Sequence, residues 1–323
     1  MNLRIGALTL EGRVFQSPMA DCTDLAFRLV AREHGLRFAF LEMVSAHSLL
    51  RRNPKTLDMM RTTPEDRPLG AQLVGTDPGL LADAAALVEE MGFDLVDLNC
   101  GCPAPKIVTT GAGAGLLRTP EKTEEIFRRM ARAVRRIPVT MKTRVGFEEP
   151  GGREAEDLAR RAEAQGLCAV TVHGRTRKQR YAGAVDFDAI ARVKRSVRIP
   201  VLANGGVMAP LDAKTLLDAT GCDGIVIGRG GLGNPWIYRA AECALEGKPL
   251  PAIPGIEDRR QALLRHLDLE LRYEDRRRAL LAMRRVSCWY FTGTPGAAAL
   301  RGAVCSTAND EPSLRKIIED FGR

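Results

Sequence analysis

The pattern of apolar and polar positions along residues 13 to 245 alternates between two kinds of segment. Short runs of consecutive apolar residues predict strands covered on both faces, whereas apolar positions at helical spacing predict amphipathic helices. The predicted strands are Val14–Phe15, Phe38–Leu41, Leu69–Leu73, Leu95–Leu98, Val139–Met141, Ala169–Val172, Val201–Ala203 and Gly224–Ile227. The predicted helices between them are Asp24–His34, Pro78–Met91, Thr119–Val134, Glu154–Gln165, Phe187–Val197 and Leu211–Thr220.

Repeated strand-helix units at this regular spacing predict a closed (β/α)8 TIM barrel rather than an open doubly wound sheet. An open sheet would place its phosphate loop after the first strand. Here the glycine-rich segments Asn204-Gly205-Gly206 and 228–233 follow the seventh and eighth strands, where barrel enzymes bind phosphate. Although 228–233 matches the dinucleotide pattern G-x-G-x-x-G, its place after the last strand favours a mononucleotide phosphate cradle.

The character of the chain changes after residue 245. Residues 246–258 are rich in proline and glycine and predict a linker. Beyond them only helical patterns occur, over Arg259–Tyr273, Arg276–Phe291, Ala297–Thr307 and Ser313–Phe321. We therefore expect a barrel domain over residues 1–245 and a small C-terminal helical domain over 259–323.

The charge of the chain bears on its partners. A net charge of +8 suits a polyanionic partner. Arginines cluster in the predicted helical domain, at Arg276, Arg277, Arg278, Arg284 and Arg285. Their spacing puts several on one helical face. They form either a solvated surface balanced by Glu274 and Asp275 or a phosphate-binding stripe beside Trp289 and Tyr290.

Three further features bear on location and metal content. No apolar run approaches the roughly 20 residues of a membrane helix, and the first residues lack a signal peptide's apolar stretch. The eight cysteines form no C-x-x-C pair and show no zinc-site spacing. We therefore expect a cytoplasmic protein with reduced thiols, without membrane association and without a metal site.

Polar groups at the ends of the predicted strands form a coherent set. In a barrel, chemistry lies at the carboxyl ends of the strands. Seven strands deliver such groups, in Ser17-Pro18-Met19-Ala20, Gln72, 97–103, Lys142-Thr143-Arg144, 173–176, Asn204-Gly205-Gly206 and Gly228-Arg229. Each alone could be a solvated side chain or a helix cap, but their convergence on one face favours a functional site.

Several strings in the chain resemble the tRNA-dihydrouridine synthase family, with its bacterial B-type branch the most similar. They are SPMADCTD, QLVG, DLNCGCPAPKIV, MKTRVG, TVHGRTRKQRY, NGGV, GIVIGRGGLGNPW and MRRVSCWYFTG. The resemblance extends over nearly the whole chain, and the fourth-strand and HGRTR motifs are its most specific parts. It implies FMN-dependent, NAD(P)H-driven reduction of the C5=C6 bond of specific tRNA uridines to 5,6-dihydrouridine.

The resemblance also implies a role for each candidate residue. FMN would be bound by Pro18, Met19, Ala20, Gln72, Lys142, His173, Asn204, Gly205, Gly206, Gly228 and Arg229. Asn99 and Arg175 would reach the uracil, and Cys102 would be the proton donor. Hydride would pass from reduced FMN N5 to C6, and a proton from Cys102 to C5. A thiol with an ordinary pKa of about 8.5 is mostly protonated at neutral pH and can donate.

Two departures from the family pattern affect the loops around the flavin. Asp21-Cys22 stands where Gly-Val is common, which bears on loop packing. Gly206 stands where Asp is common, which removes a possible ribityl or phosphate-loop contact. Two alternative functions are an FMN barrel that reduces a free pyrimidine or another small enone, and a non-catalytic RNA-binding protein. The first would need no arginine-rich helical tail, and the second would need neither Cys102 nor FMN.

Overall fold

The computed structural model describes residues 2–148, 151, 153–307 and 310–322. The strands are β1 (Asn2–Ile5), β2 (Leu8–Glu11), β3 (Val14–Gln16), β4 (Ala39–Phe40), β5 (Val44–Ser45), β6 (Leu69–Val74), β7 (Leu95–Cys100), β8 (Val139–Arg144), β9 (Ala169–His173), β10 (Val201–Asn204) and β11 (Gly224–Ile227). The helices associated with the barrel are α1 (Leu25–Glu33), α2 (Ala46–Leu50), α3 (Pro54–Met59), α4 (Pro78–Glu90), α5 (Pro105–Val108), α6 (Pro120–Ala133), α7 (Arg153–Ala164), α8 (Phe187–Ser196), α9 (Pro210–Thr220) and α10 (Ile237–Leu245). The C-terminal helices are α11 (Ile256–Tyr273), α12 (Arg276–Tyr290), α13 (Ala297–Thr307) and α14 (Glu311–Asp320).

The predicted barrel is confirmed. Parallel strands pair in the order β3-β11-β10-β9-β8-β7-β6-β4, and β5 also pairs with β6. Gln16 links the two ends of this order, because its backbone N–H donates to Phe38 O at 3.1 Å. Its side-chain Oε1 accepts from the backbone N–H of Phe40 at 3.0 Å. The sheet is therefore nearly closed, with helices packed outside it.

The structure adds elements that the pattern analysis did not predict. β1 and β2 form an antiparallel hairpin whose Leu3, Ile5 and Leu10 pack against Phe15 and Phe38 of the barrel. The hairpin covers the apolar side chains at the N-terminal end of the barrel. Strand β5 and helices α2, α3, α5 and α10 were also not predicted.

The C-terminal helices have an apolar core of their own, which includes Leu263, Met283 and Ile318. They also pack on the barrel, where Leu269 of α11 joins the buried residues of α1. Helix α11 begins at Ile256, inside the predicted linker. The domain bounds 1–245, 246–258 and 259–323 stay a prediction. Within the described part of the chain, every helix falls short of the length and apolarity that a bilayer span requires.

Candidate active site

A cavity of about 580 Å³ lies at the carboxyl ends of the barrel strands. Every residue for which the sequence predicted a site role lines it. They are Pro18, Met19 and Ala20 after β3, Gln72 in β6, Asn99 and Cys102 in and after β7, Lys142 in β8, His173 and Arg175 in and after β9, Asn204, Gly205 and Gly206 in and after β10, and Gly228 and Arg229 after β11. Parallel strands bring these distant residues together because all their carboxyl ends meet at one face.

A chain of buried hydrogen bonds crosses the floor of this cavity. Thr140 Oγ1 donates to Asp97 at 2.7 Å, and Gln72 Nε2 donates to the other carboxylate oxygen at 2.8 Å. Asn99 Nδ2 then donates to Gln72 Oε1 at 2.7 Å. Asn99 Oδ1 accepts from the backbone N–H of Cys102 at 2.8 Å. This series of hydrogen bonds fixes the orientation of the Gln72 and Asn99 amide groups, and each amide keeps one N–H for a ligand.

The turn that carries Cys102 is held from two sides. Asn99 Oδ1 also accepts from the backbone N–H of Gly101 at 3.1 Å. On the other side, Arg144 Nε donates to Gly101 O at 2.8 Å. Arg144 Nη1 donates in turn to Thr176 O at 2.9 Å and Arg180 O at 2.8 Å. Arg144 therefore connects the Cys102 turn to the loop after β9.

Charged groups around the cavity have shifted pKa values. Burial raises the pKa of Asp97 to about 6, against the opposing effects of Gln72, Thr140 and Lys142. Burial and the nearby positive charge of Arg144 together lower the pKa of Lys142 to about 8. Burial also lowers the pKa of His173 well below its usual range, and Lys142 and Arg144 act in the same direction. His173 is therefore neutral at physiological pH, whereas Lys142 is mostly protonated.

The rim of the cavity carries stacked cations. The guanidinium groups of Arg144 and Arg229 lie 5.6 Å and 4.9 Å from the ring centroid of Tyr181. Arg175 Nε donates to Gly183 O at 2.9 Å, whereas its Nη1 is buried without a hydrogen-bond partner among the described residues. The rim is therefore electropositive and suits an anionic ligand.

Two glycines after β10 form one wall of the predicted phosphate cradle. Gly205 and Gly206 have φ of +122° and +79°, a region that side chains with a Cβ rarely adopt. A Cβ on Gly206 would also lie 3.2 Å from Val185. The backbone at Gly206 therefore suits glycine.

The Asp21-Cys22 departure sits in a packed turn. Asp21 has φ of +59°, and its carbonyl accepts a hydrogen bond from Arg285 of α12. Thr23 closes the turn, because its Oγ1 contacts both the backbone N–H and the carbonyl of Met19 at 3.1 Å. Cys22 lines the cavity. Asp21 therefore provides a backbone contact between the loop after β3 and the C-terminal helices.

The arginine cluster of α12 is partly engaged within the chain. Arg276 lies 3.3 Å from Glu311, and Arg278 lies 3.8 Å from Asp58, both with exposed guanidinium groups. Arg285 stacks on Trp289 at 5.1 Å. Such exposed ion pairs contribute little to stability and exchange readily for other anions. The phosphate-binding stripe stays a prediction.

Three residues that shape this site had no predicted role. Asp97 and Arg144 lay within the motif strings at strand ends, and Tyr181 closed the string TVHGRTRKQRY. The strings marked their positions, but their roles depend on partners from other strands. Only the fold shows that Arg144 faces the turn of Cys102.

Comparison with known proteins decides the family. Residues 15–320 match the model for "Dihydrouridine synthase (Dus)". The chain belongs to the dihydrouridine synthase family. Among relatives of this chain, a "Probable tRNA-dihydrouridine synthase" from Rickettsia typhi is 36% identical over 322 residues, covering 99% of this chain and 97% of the relative. A "tRNA-dihydrouridine synthase B" from Pseudomonas aeruginosa is 38% identical over 301 residues, covering 93% and 90%.

Solved structures similar to this chain support the barrel fold. A 2-naphthoyl-CoA reductase complex aligns with a TM-score of 0.60 at 11% identity, covering 77% of this chain and 52% of that chain. A histamine dehydrogenase from Rhizobium sp. 4-9 aligns with a TM-score of 0.59 at 14% identity, covering 83% and 50%. The chain thus spans about half of each of these larger proteins, and the likeness concerns the fold alone.

Proposed function

We propose that this family member is a B-type tRNA-dihydrouridine synthase that binds FMN, uses NAD(P)H and reduces the C5=C6 bond of tRNA uridines in the cytoplasm. The observation that carries the proposal is the hydrogen-bonded chain from Asp97 through Gln72 and Asn99 to the turn of Cys102. It joins a thiol to two oriented amides inside one cavity. The names of the relatives support the choice of substrate.

The residues of the cavity fit FMN. Gly205, Gly206 and Gly228, with Arg229, would hold the phosphate through backbone N–H groups and a guanidinium. Gln72 and Lys142 would bind the pyrimidine edge of the ring, while Pro18, Met19 and Ala20 pack along it. Asn204 and His173 would complete the site, with His173 neutral because of its lowered pKa. When bound, FMN supplies the hydride that uracil C6 accepts, and NAD(P)H regenerates its reduced form.

Cys102 holds the proton that completes the reaction. Its Sγ donates to uracil C5 as general acid, so the C5=C6 bond gains one hydrogen at each carbon. The turn that carries the thiol is fixed by Asn99 and Arg144, which limits the positions that Sγ can take. The remaining N–H of Asn99 and the guanidinium of Arg175 would orient the uracil carbonyls.

The substrate must enter as an extruded base. Flipping a nucleotide out of folded RNA costs a few kcal/mol. Arg180, a rim cation outside the proposed phosphate cradle, would contact backbone phosphates and offset that cost. The exposed arginines Arg276 and Arg277 on α12 extend this electropositive surface.

Replacing Cys102 with alanine tests the proposal. We expect flavin absorbance to remain while tRNA treated with the variant gains no two-hydrogen mass increase at any uridine. Cys168→Ala is the matched control, because Cys168 lies immediately before β9, at the opposite end of the barrel. It should keep full activity. Normal dihydrouridine formation by the Cys102 variant would refute the acid role, and NAD(P)H oxidation driven equally by free uridine would refute the RNA substrate.

A further inference from the structure

A second group of buried titratable side chains lies where the C-terminal helices meet the barrel. Asp24 is the N-cap residue of α1, and one of its oxygens accepts from the backbone N–H of Phe27 at 2.8 Å. His266 and Glu270 lie one turn apart on α11. One potential ligand atom from each of Asp24, His266 and Glu270 lies within 4.8 Å of the other two. None of the three belongs to the proposed active site.

Two atoms of this group lack partners. His266 and Glu270 are each 1% exposed, and His266 Nε2 and Glu270 Oε1 have no hydrogen-bond partner among the described residues. The two atoms face each other at 3.9 Å, too far for a hydrogen bond. Buried polar atoms without partners are costly and rare, so the pair requires a bridging species.

Burial and mutual repulsion disfavour charge on the side chains of this group. Burial and the nearby Asp24 together raise the pKa of Glu270. Burial lowers the pKa of His266, so its ring is neutral. A proton shared by the two carboxylates would relieve their repulsion but would leave His266 Nε2 unpaired. A cation bound by all three side chains satisfies every one of these atoms.

A fourth residue prepares His266 for this role. His266 Nδ1 lies 3.1 Å from Tyr290 OH. When Nδ1–H donates to that oxygen, Nε2 keeps a lone pair directed towards Glu270, which is the form of histidine that binds metals. Zinc bonds of about 2.0–2.2 Å in a tetrahedral site put ligand atoms about 3.4 Å apart. The 3.9 Å between His266 Nε2 and Glu270 Oε1, and the upper limit of 4.8 Å among the three ligand atoms, therefore require these atoms to move inwards when the ion binds.

We propose that Asp24, His266 and Glu270 bind one divalent transition-metal ion of the zinc class, with water in the remaining position. A cleft of about 220 Å³ reaches Asp24 and Glu270 and gives the ion a route from solvent. One imidazole and two carboxylates are ligands that zinc accepts. The ion would join α11 to α1, just after the loop of Met19 and Ala20. The sequence prediction of no metal site rested on cysteine spacing and could not register ligands so far apart along the chain.

The test measures zinc retained by the purified flavin-loaded protein. The protein is incubated with excess zinc sulfate and desalted, and its zinc content is determined by mass spectrometry. We expect one zinc ion per natural chain and none for Glu270→Gln, which has the size of a protonated glutamate. Tyr290→Phe should weaken zinc binding by about 10–100-fold, the usual effect of removing an orienting partner.

The control is Glu274→Gln, because Glu274 lines the same cleft outside the three proposed ligands. It should retain one zinc ion. Zinc also binds thiols, and thiol-bound zinc would remain equally in Glu270→Gln, which would overturn the proposal. A natural chain that retains no zinc would overturn it as well, and would leave the shared proton as the bridging species. The zinc measurements are independent of tRNA reduction.

Discussion

Replacing Asn99 with alanine tests whether this side chain holds the turn of the proposed acid. Asn99 makes three hydrogen bonds, to Gln72 at 2.7 Å and Gly101 N–H at 3.1 Å, both buried, and to Cys102 N–H at 2.8 Å, which is partly buried. Each such bond contributes about 1 kcal/mol net, so we expect the free energy of unfolding to fall by about 3 kcal/mol.

The same variant should lose activity because the Cys102 thiol is no longer held in position. Without Asn99 the turn of Cys102 loses two backbone hydrogen bonds, and the thiol can shift although Arg144 still donates to Gly101 O and the backbone N–H of Ala114 to Cys102 O. A displacement of about 1 Å at a reacting group lowers the rate by about 100-fold. We expect that loss in the single-turnover rate of dihydrouridine formation by the prereduced enzyme, measured by tRNA mass mapping. Urea unfolding followed by circular dichroism gives the stability.

Asn53→Ala provides the control. Asn53 caps α3 by accepting from the backbone N–H groups of Lys55 and Thr56 at 3.1 Å and 3.3 Å. Losing this exposed cap should cost about 1 kcal/mol and leave the rate unchanged. The reasoning is wrong if Asn99→Ala unfolds as the natural chain does and only the KM for tRNA rises. Asn99 would then be a substrate contact alone.

Three further predictions concern stability and cofactor binding. Burial raises the pKa of Glu42 from 4.5 to about 7, so the free energy of unfolding should fall by about 3 kcal/mol as pH rises between those values. Glu42→Gln should remove that fall. Equal pH dependence of urea unfolding in the variant and the natural chain would contradict this. Gly233→Ala should lower Tm by more than Gly221→Ala. Both glycines have positive φ, but only a Cβ at Gly233 would clash, at 2.3 Å from the backbone of Trp289. Equal losses of Tm would contradict this prediction. Arg229→Met should raise the Kd for FMN about 10–100-fold in a fluorescence titration of apoprotein, because a charged hydrogen bond contributes about 1.5–3 kcal/mol; an unchanged Kd would exclude a phosphate role.

Local patterns were enough for the barrel strands and the glycine turns. A strand covered on both faces must be apolar at consecutive positions, so Leu69–Leu73 and Val139–Met141 were recognisable without knowledge of their neighbours. The N-terminal hairpin carried a weaker signal, with Leu3, Ile5, Leu8 and Leu10 at every second position or nearly so. It was missed because such short runs gain their stability from the barrel floor that they cover.

The carboxyl-end rule for parallel strands allowed the sequence alone to predict which residues meet in one cavity. It could not predict what their side chains do there. Asn99 was expected to reach substrate, yet its oxygen points to the backbone of Cys102, and Arg144 received no role although it braces the same turn. The group of Asp24, His266 and Glu270 depends on how α11 docks against α1. Side-chain direction and long-range docking follow from packing between distant segments, and only the tertiary structure decides them.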